Sequence, residues 1–240
     1  MKSTATRNTK KNTTRAINRS EKNNTYNQIL EKSRVLFNTF GAESVSVNHI
    51  AESLNISSGN LTYHFKRKRN IVVALLKNLD QDFTHAVEHF PLTGSAKEFV
   101  ASYAALFKLI WRYRFLFNTA SYLLNQELLT AEEYQGLIND VKAVLLRQTN
   151  TLVEQGYMSP VAEPYAIDTL IDCIWWLWVG WLKHAHVQAL ADEHLLEKPI
   201  IEGIRHFLFI SQPYISKKYF GNILKEVDAL EAKLLLPSSL

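Results

Sequence analysis

Residues 46–65 read Ser46-Val47-Asn48-His49-Ile50-Ala51-Glu52-Ser53-Leu54-Asn55-Ile56-Ser57-Ser58-Gly59-Asn60-Leu61-Thr62-Tyr63-His64-Phe65. Val47, Ile50, Ala51 and Leu54 recur at helical spacing, and Ser46 stands where an N-cap belongs. Asn55-Ile56-Ser57 is a tight break, and Ser58 to Phe65 gives about two further turns. Two short helices across a tight turn, with Ile50, Ala51, Leu54, Ile56 and Leu61 between them, have the pattern of a helix-turn-helix. Small Ala51 lets the helices approach closely. Ser57, Ser58, Gly59 and Asn60 open the second helix, the end that such a helix offers to the major groove of a duplex. Lys66, Arg67, Lys68 and Arg69 follow at once, where flanking phosphates would lie.

Working outward, Tyr26 to Phe40 has a helical apolar period that Gly41 ends. Another helix is predicted from near Lys68 to about Phe90. Pro91-Leu92-Thr93-Gly94 is the clearest linker. Beyond it the periodicity predicts helices over about 95–112, 114–128, 130–155, 164–189, 198–211 and 216–235. No segment alternates with period two, and 8 Gly with 6 Pro in 240 residues are few for a strand-and-turn protein. The fold class read from this is all-α. Its expected parts are a disordered basic arm over 1–22, a helix-turn-helix domain over 23–80 and a larger helical domain over 81–240.

Charge is divided along the same line. Residues 1–80 carry 14 Lys+Arg and 5 Asp+Glu, whereas 81–240 carry 13 and 18, so a basic front precedes an acidic body. A polyanion partner for the front follows. Charge alone fits nucleic acid or anionic membrane, but the helix 58–65 lacks the broad apolar face that inserts into lipid. The arm has no apolar run after its charges and so does not resemble a secretory signal. The uncharged apolar run Cys173 to Leu182 is too short to span a bilayer. The expected location is the cytoplasm. A single cysteine, Cys173, excludes an intrachain disulfide and a multi-cysteine zinc site.

Residues 25–80 resemble the DNA-binding domain of the TetR family of bacterial regulators. The run Gly59 to Ile71 fits the family pattern G-x-L-Y-x-H-F-x-x-K-x-x-L at most positions, and Phe37, Gly41 and Ile50-Ala51 fit upstream. The resemblance implies that Tyr63 touches base edges or a thymine methyl and that His64 and Lys68 each hold a phosphate. It makes Ser57, Ser58 and Asn60 base readers or phosphate donors. Thr62 departs from the pattern, which has Tyr there, and its shorter reach puts that backbone contact in question. His49 replaces a common acidic residue, which weakens a capping box at Ser46.

Residues 95–212 are rich in aromatic side chains. On the helix expected over 164–189, Ile167, Leu170, Ile174, Trp178, Trp181 and Ala185 share one face, while Trp176 and Val179 fall opposite, near Asp172 and Lys183. A helix apolar on both sides needs cover on both sides. The helix over 198–211, with Ile204, Phe207 and Leu208, has similar breadth. Two such helices per subunit would make an intersubunit four-helix bundle, as in regulators of this family, and two-fold symmetry then predicts a palindromic DNA site. Cover by the tail 216–235 is the alternative. Aromatic excess also suits a pocket for a small apolar or aromatic effector, with Phe107, Trp111, Phe117, Tyr122, Trp175 and Trp178 as candidates. No Lys or Arg cluster sits among them in sequence.

Catalytic and cofactor signatures are missing: no G-x-S-x-G, no phosphate loop, no G-x-G-x-x-G. His85 and His89 share a helix face but have no third ligand at zinc spacing. Neither an enzyme nor a cofactor is expected. Two rivals to a ligand-responsive regulator stay open: an architectural DNA binder without ligand, and an apolar-ligand carrier or enzyme with an incidental basic front.

Overall fold

The computed structural model describes residues 24–89, 94–191 and 197–235. The basic arm 1–22 and the linker residues 91–93 lie outside them. Among the described residues there is no strand, only one isolated antiparallel bridge between Met158 and Ile215. None of the described helices is long and apolar enough to cross a membrane.

α1 covers 24–40, and Ile29, Leu30, Ser33, Leu36 and Phe37 turn inward at helical spacing. Gly41 stops it at φ +78, and its N–H donates to the Phe37 carbonyl at 3.1 Å. α2 is Val47–Ser53 and α3 is Ser58–His64. α4, Lys68–His89, begins where the Asn70 side chain accepts from the Arg67 N–H at 3.0 Å.

The later helices follow the periodicity closely. α5 is Ala96–Arg112, α8 is Ala131–Glu154, α9 is Ile167–Ala191, α10 is Glu197–Ser211 and α11 is Lys217–Leu235. α8 opens with a full capping box between Thr130 and Glu133. The stretch expected as one helix over 114–128 is instead α6, Phe115–Asn118, and α7, Ala120–Asn125. Asn118 and Thr119 are poor helix formers, and Thr119 (φ −110, ψ 21) makes no side-chain cap bond.

The chain forms two compact units. One comprises residues up to Leu76 together with Thr119–Leu129; the other comprises Lys77–Asn118 and Thr130–Leu240. The boundary expected at 80 falls within α4, and the segment carrying α7 belongs with the first unit. In the second unit α10 and α11 pack on α5, α9 packs on α8 and α10, and α6 reaches α9. Arg205 ties α10 to α11 through Asp228 at 2.9 Å and Glu231 at 2.6 Å.

Candidate nucleic-acid interface and aromatic interior

Local chemistry sets the angle between α2 and α3. Ser46 Oγ accepts from the His49 N–H, and Ser57 Oγ from the Asn60 N–H, both at 3.1 Å. Between the helices Asn55 takes φ +53, and the Ile56 N–H donates to the Ala51 carbonyl at 3.1 Å. Ile50, Ala51 and Leu61 are fully enclosed, while Leu54 and Ile56 are half-buried. Phe65 is core and stacks on Tyr26 at 4.7 Å.

This packing leaves one side of α3 open. Ser57, Ser58, Gly59, Asn60 and Thr62 are exposed, Tyr63 is 69% exposed and His64 half-buried. Thr62 Oγ1 donates to the Ser58 carbonyl at 2.7 Å, so its hydroxyl is bonded within its own helix. Ser58 Oγ donates to Asn48 Oδ1 at 3.3 Å. A Cβ at Gly59 would meet only Ser57 Oγ, at 3.8 Å. Nothing inside the protein demands glycine there.

The run 66–69 divides into two pairs, which the sequence did not reveal. Lys66 and Arg67 are exposed. Lys68, expected to hold a phosphate, instead turns inward: its ammonium donates to the Ala42 carbonyl and lies 3.4 Å from the Tyr122 hydroxyl, over the Phe37 and Tyr122 rings. Burial lowers its pKa, against the pull of Glu43. Arg69 donates to the Glu127 carbonyl at 3.2 Å. Tyr122 thereby lies beside Lys68 in the first unit, whereas the other residues proposed for the effector belong to the second.

In the second unit Phe107, Trp111, Phe117, Trp175 and Trp178 are all buried. Phe107 lies 5.3 Å from Trp178 and 4.7 Å from Trp181, and Phe117 lies 6.1 Å from Trp175. Trp181 Nε1 donates to the Pro199 carbonyl at 2.6 Å. Trp178 Nε1, both amide atoms of Asn118 and Gln148 Oε1 are buried without a hydrogen-bond partner. A cation does join this group: the Arg114 guanidinium sits 4.4 Å over the Trp111 ring. Periodicity missed it, although Arg114 follows Trp111 by one helical turn.

Arg114 also acts on His186. Burial, and then the Arg114 charge, hold the His186 imidazole below its ordinary value of 6.5. The unfolded chain takes up this proton near pH 6.5, and the folded chain only at lower pH. The stabilisation is therefore present above about pH 6.5 and is lost as pH falls through the folded value. Thermal melts of His186→Gln are expected to decline less steeply than the parent's on acidification. An identical slope would remove His186 from the acid response.

The outward surface of α9 carries Cys173, Trp176, Gly180, Lys183, His184 and Val187, with Trp176 69% and Val187 65% exposed. Val179 is half-buried. Ile204, Phe207 and Leu208, expected at a subunit interface, are corrected here. They lie on one face with Ile200 and Ile201, packed within the chain, and Phe207 stacks on Tyr103 at 4.2 Å. The outward apolar residue of α10 is Phe209, 76% exposed.

Comparisons with known proteins agree with this architecture. Residues 29–75 match the model of the bacterial regulatory proteins of the tetR family, and residues 74–221, more than half the chain, match the TetR bacterial transcriptional repressor model. A TetR-family transcriptional regulator from Marinobacter aquaeolei VT8 is 25% identical, with a TM-score of 0.71 over 86% of this chain and 98% of that one. SmeT, the repressor of the Stenotrophomonas maltophilia multidrug efflux pump SmeDEF, is 16% identical, with a TM-score of 0.57 over 81% and 92%. A transcriptional regulator from Saccharomonospora viridis, solved with choline, is 20% identical, with a TM-score of 0.61 over 81% and 100%. No curated protein sequence matches. The helix-turn-helix built on Ser46 to Phe65 and the helical body behind it make this chain a member of the TetR family of bacterial transcriptional regulators.

Proposed function

We propose that the protein is a homodimeric repressor that holds a palindromic operator through one α3 per half-site and releases it when a small effector enters the aromatic interior. The observation that carries this reading is the open side of α3. Ser57, Ser58, Asn60 and Tyr63 stand exposed around Gly59, next to the exposed cations Lys66 and Arg67. These side chains have the reach and the donors to read base edges and grip phosphates. Ser46, at the start of α2, and His64 lie where the flanking backbone would pass. With Lys68 turned inward, Lys66 and Arg67 are assigned the phosphate role that the sequence gave to Lys68.

The effector is read from the interior. Rings from Phe107, Trp111, Phe117, Trp175 and Trp178 favour an apolar or aromatic body. Unpartnered Asn118, Gln148 and Trp178 atoms favour a ligand that brings both donors and acceptors. Two relatives have been solved with small molecules, SmeT with triclosan and the Saccharomonospora viridis regulator with choline. Dimerisation is supported by the uncovered Trp176, Gly180 and Val187 on α9 and Phe209 on α10. Trp176, Lys183 and half-buried Val179 keep their proposed place there.

The test is selection from a random duplex library at near-physiological salt. A palindrome of two short half-sites is expected. A folded protein that enriches no sequence would leave the architectural-binder or carrier reading instead. Gly59→Ala sharpens the result. Inside the protein the new methyl has room and improves helix propensity. Against a base edge it intrudes, so affinity for the selected site is expected to drop at least about tenfold with no loss of thermal stability. Lys66→Ala is expected to lower the salt slope by about one without changing the selected sequence.

A further inference from the structure

Residues 1–22 precede α1 and contain seven Lys or Arg and one acid, Glu21. Most of the others are Ser, Thr or Asn, and Met1 and Ile17 are the only large apolar side chains. So dense a positive charge favours a polyanion, and the lack of an apolar face disfavours insertion into lipid. Where this segment joins the fold decides which polyanion lies within its reach.

It joins beside α3. The chain enters α1 at residue 24, and Tyr26, in the first turn, stacks on the core residue Phe65 with ring centroids 4.7 Å apart. The Tyr26 ring also lies 6.4 Å from His64, the last residue of α3. His64 meets Tyr63 edge-on at 5.3 Å, and Tyr63 stands on the open side of α3. A line of rings, Tyr26, His64 and Tyr63, therefore runs from the root of the arm to the surface assigned to DNA. Residues 1–22 could reach up to about 70 Å from that root if fully extended. One helical turn of duplex is only roughly 34 Å.

The cations next to α3 also leave a shortfall. In the run 66–69 only Lys66 and Arg67 are exposed. The Lys68 ammonium is engaged by the Ala42 carbonyl and Tyr122, and Arg69 donates to the Glu127 carbonyl. Each neutralised phosphate contributes about 0.9 to the salt slope, so the two outward cations of this run supply about 2, and the arm can add several more.

We propose that residues 1–22 bind the duplex flanking the half-site held by α3 of the same chain, with their Lys and Arg side chains on its phosphates. This rests on the operator reading above and adds a contact that carries charge but no sequence choice. The full chain is compared with one in which all seven arm cations, from Lys2→Gln to Lys22→Gln, are neutralised. Both are titrated with the selected palindrome extended by one helical turn on each side, about 10 base pairs, and then with the palindrome alone.

On the extended duplex the neutralised chain is expected to lose at least about 100-fold in affinity at near-physiological salt and at least about three from the salt slope. Its selected sequence and helical content stay the same. Trimming the flanks is expected to weaken the parent and to leave the neutralised chain nearly unchanged. An equal slope, equal losses on trimming, or tighter binding by the neutralised chain, as an arm held by the acidic body would give, overturns the proposal. So does a parent that pellets with phosphatidylserine vesicles through these residues while its DNA binding ignores them. A parent that enriches no sequence fails the operator reading and the arm with it; a palindrome held equally well by the neutralised chain fails the arm alone.

Discussion

Replacing Trp176 and Phe209 together by glutamate is expected, on the proposed dimeric reading, to give a folded monomer that has lost at least about 100-fold in affinity for the duplex selected by the parent. Each side chain is mostly exposed, at 69% and 76%, so neither change opens a hole in the core. Each large ring left in water is unfavourable unless something covers it. In a two-fold dimer the α9 and α10 surfaces meet their own copies, and introduced carboxylates would face like charges there. Gly180, with no atom within 4 Å of an added Cβ, leaves room for a partner helix to approach the α9 backbone. Loss of the dimer separates the two half-sites into independent binding events, and avidity of about 10²- to 10⁴-fold goes with it. Sedimentation velocity and DNA titration of the double variant provide the check. A dimer that persists, with DNA affinity intact, would place the subunit contact elsewhere.

Gly203→Ala is expected to destabilise the second unit by about 1–3 kcal/mol. On helix propensity alone the change would be favourable, by about 0.5–1 kcal/mol. At this position, however, an added Cβ would lie 2.5 Å from Phe107 Cε1 and 2.9 Å from Trp181 Nε1. Neither ring can retreat easily. Phe107 is fully enclosed against Trp178 and Trp181, and Trp181 is fixed by its bond to the Pro199 carbonyl. Overpacking therefore outweighs propensity. Gly136→Ala on α8 is the matched control. Nothing lies within 4 Å of its added Cβ, so a gain of about 0.5–1 kcal/mol is expected. Chemical denaturation of both variants measures the opposite signs. A Gly203→Ala protein as stable as the parent would show that α10 does not sit tightly on α5 and α9.

The helix-turn-helix could be read from the chain because its determinants are local. Two serine caps, a small alanine, a left-handed turn residue and apolar side chains at fixed spacing all lie within the twenty residues from Ser46 to Phe65. The inward face of α9 was legible for the same reason, since Ile174, Trp178, Trp181 and Ala185 recur with the helical period. Periodicity reports that a face is apolar and does not report what covers it. Ile204, Phe207 and Leu208 were therefore read as a subunit surface when α5 and its own neighbours cover them.

Lys68 and Tyr122 show the same limit. They are 54 residues apart, and no local pattern joins a basic run to an aromatic in another helix. Arg114 over Trp111, Gly203 against Phe107 and Tyr219 beside Tyr157 are likewise contacts, each fixed by where a second or third helix passes. The sequence by itself determined that the chain is helical, where most of its helices lie and that it carries a helix-turn-helix, because those follow from spacing and caps along a few turns. Only the tertiary structure decided which cations face outward, which apolar faces stay uncovered and where buried hydroxyls lack a partner, because these depend on side chains brought together from distant parts of the chain.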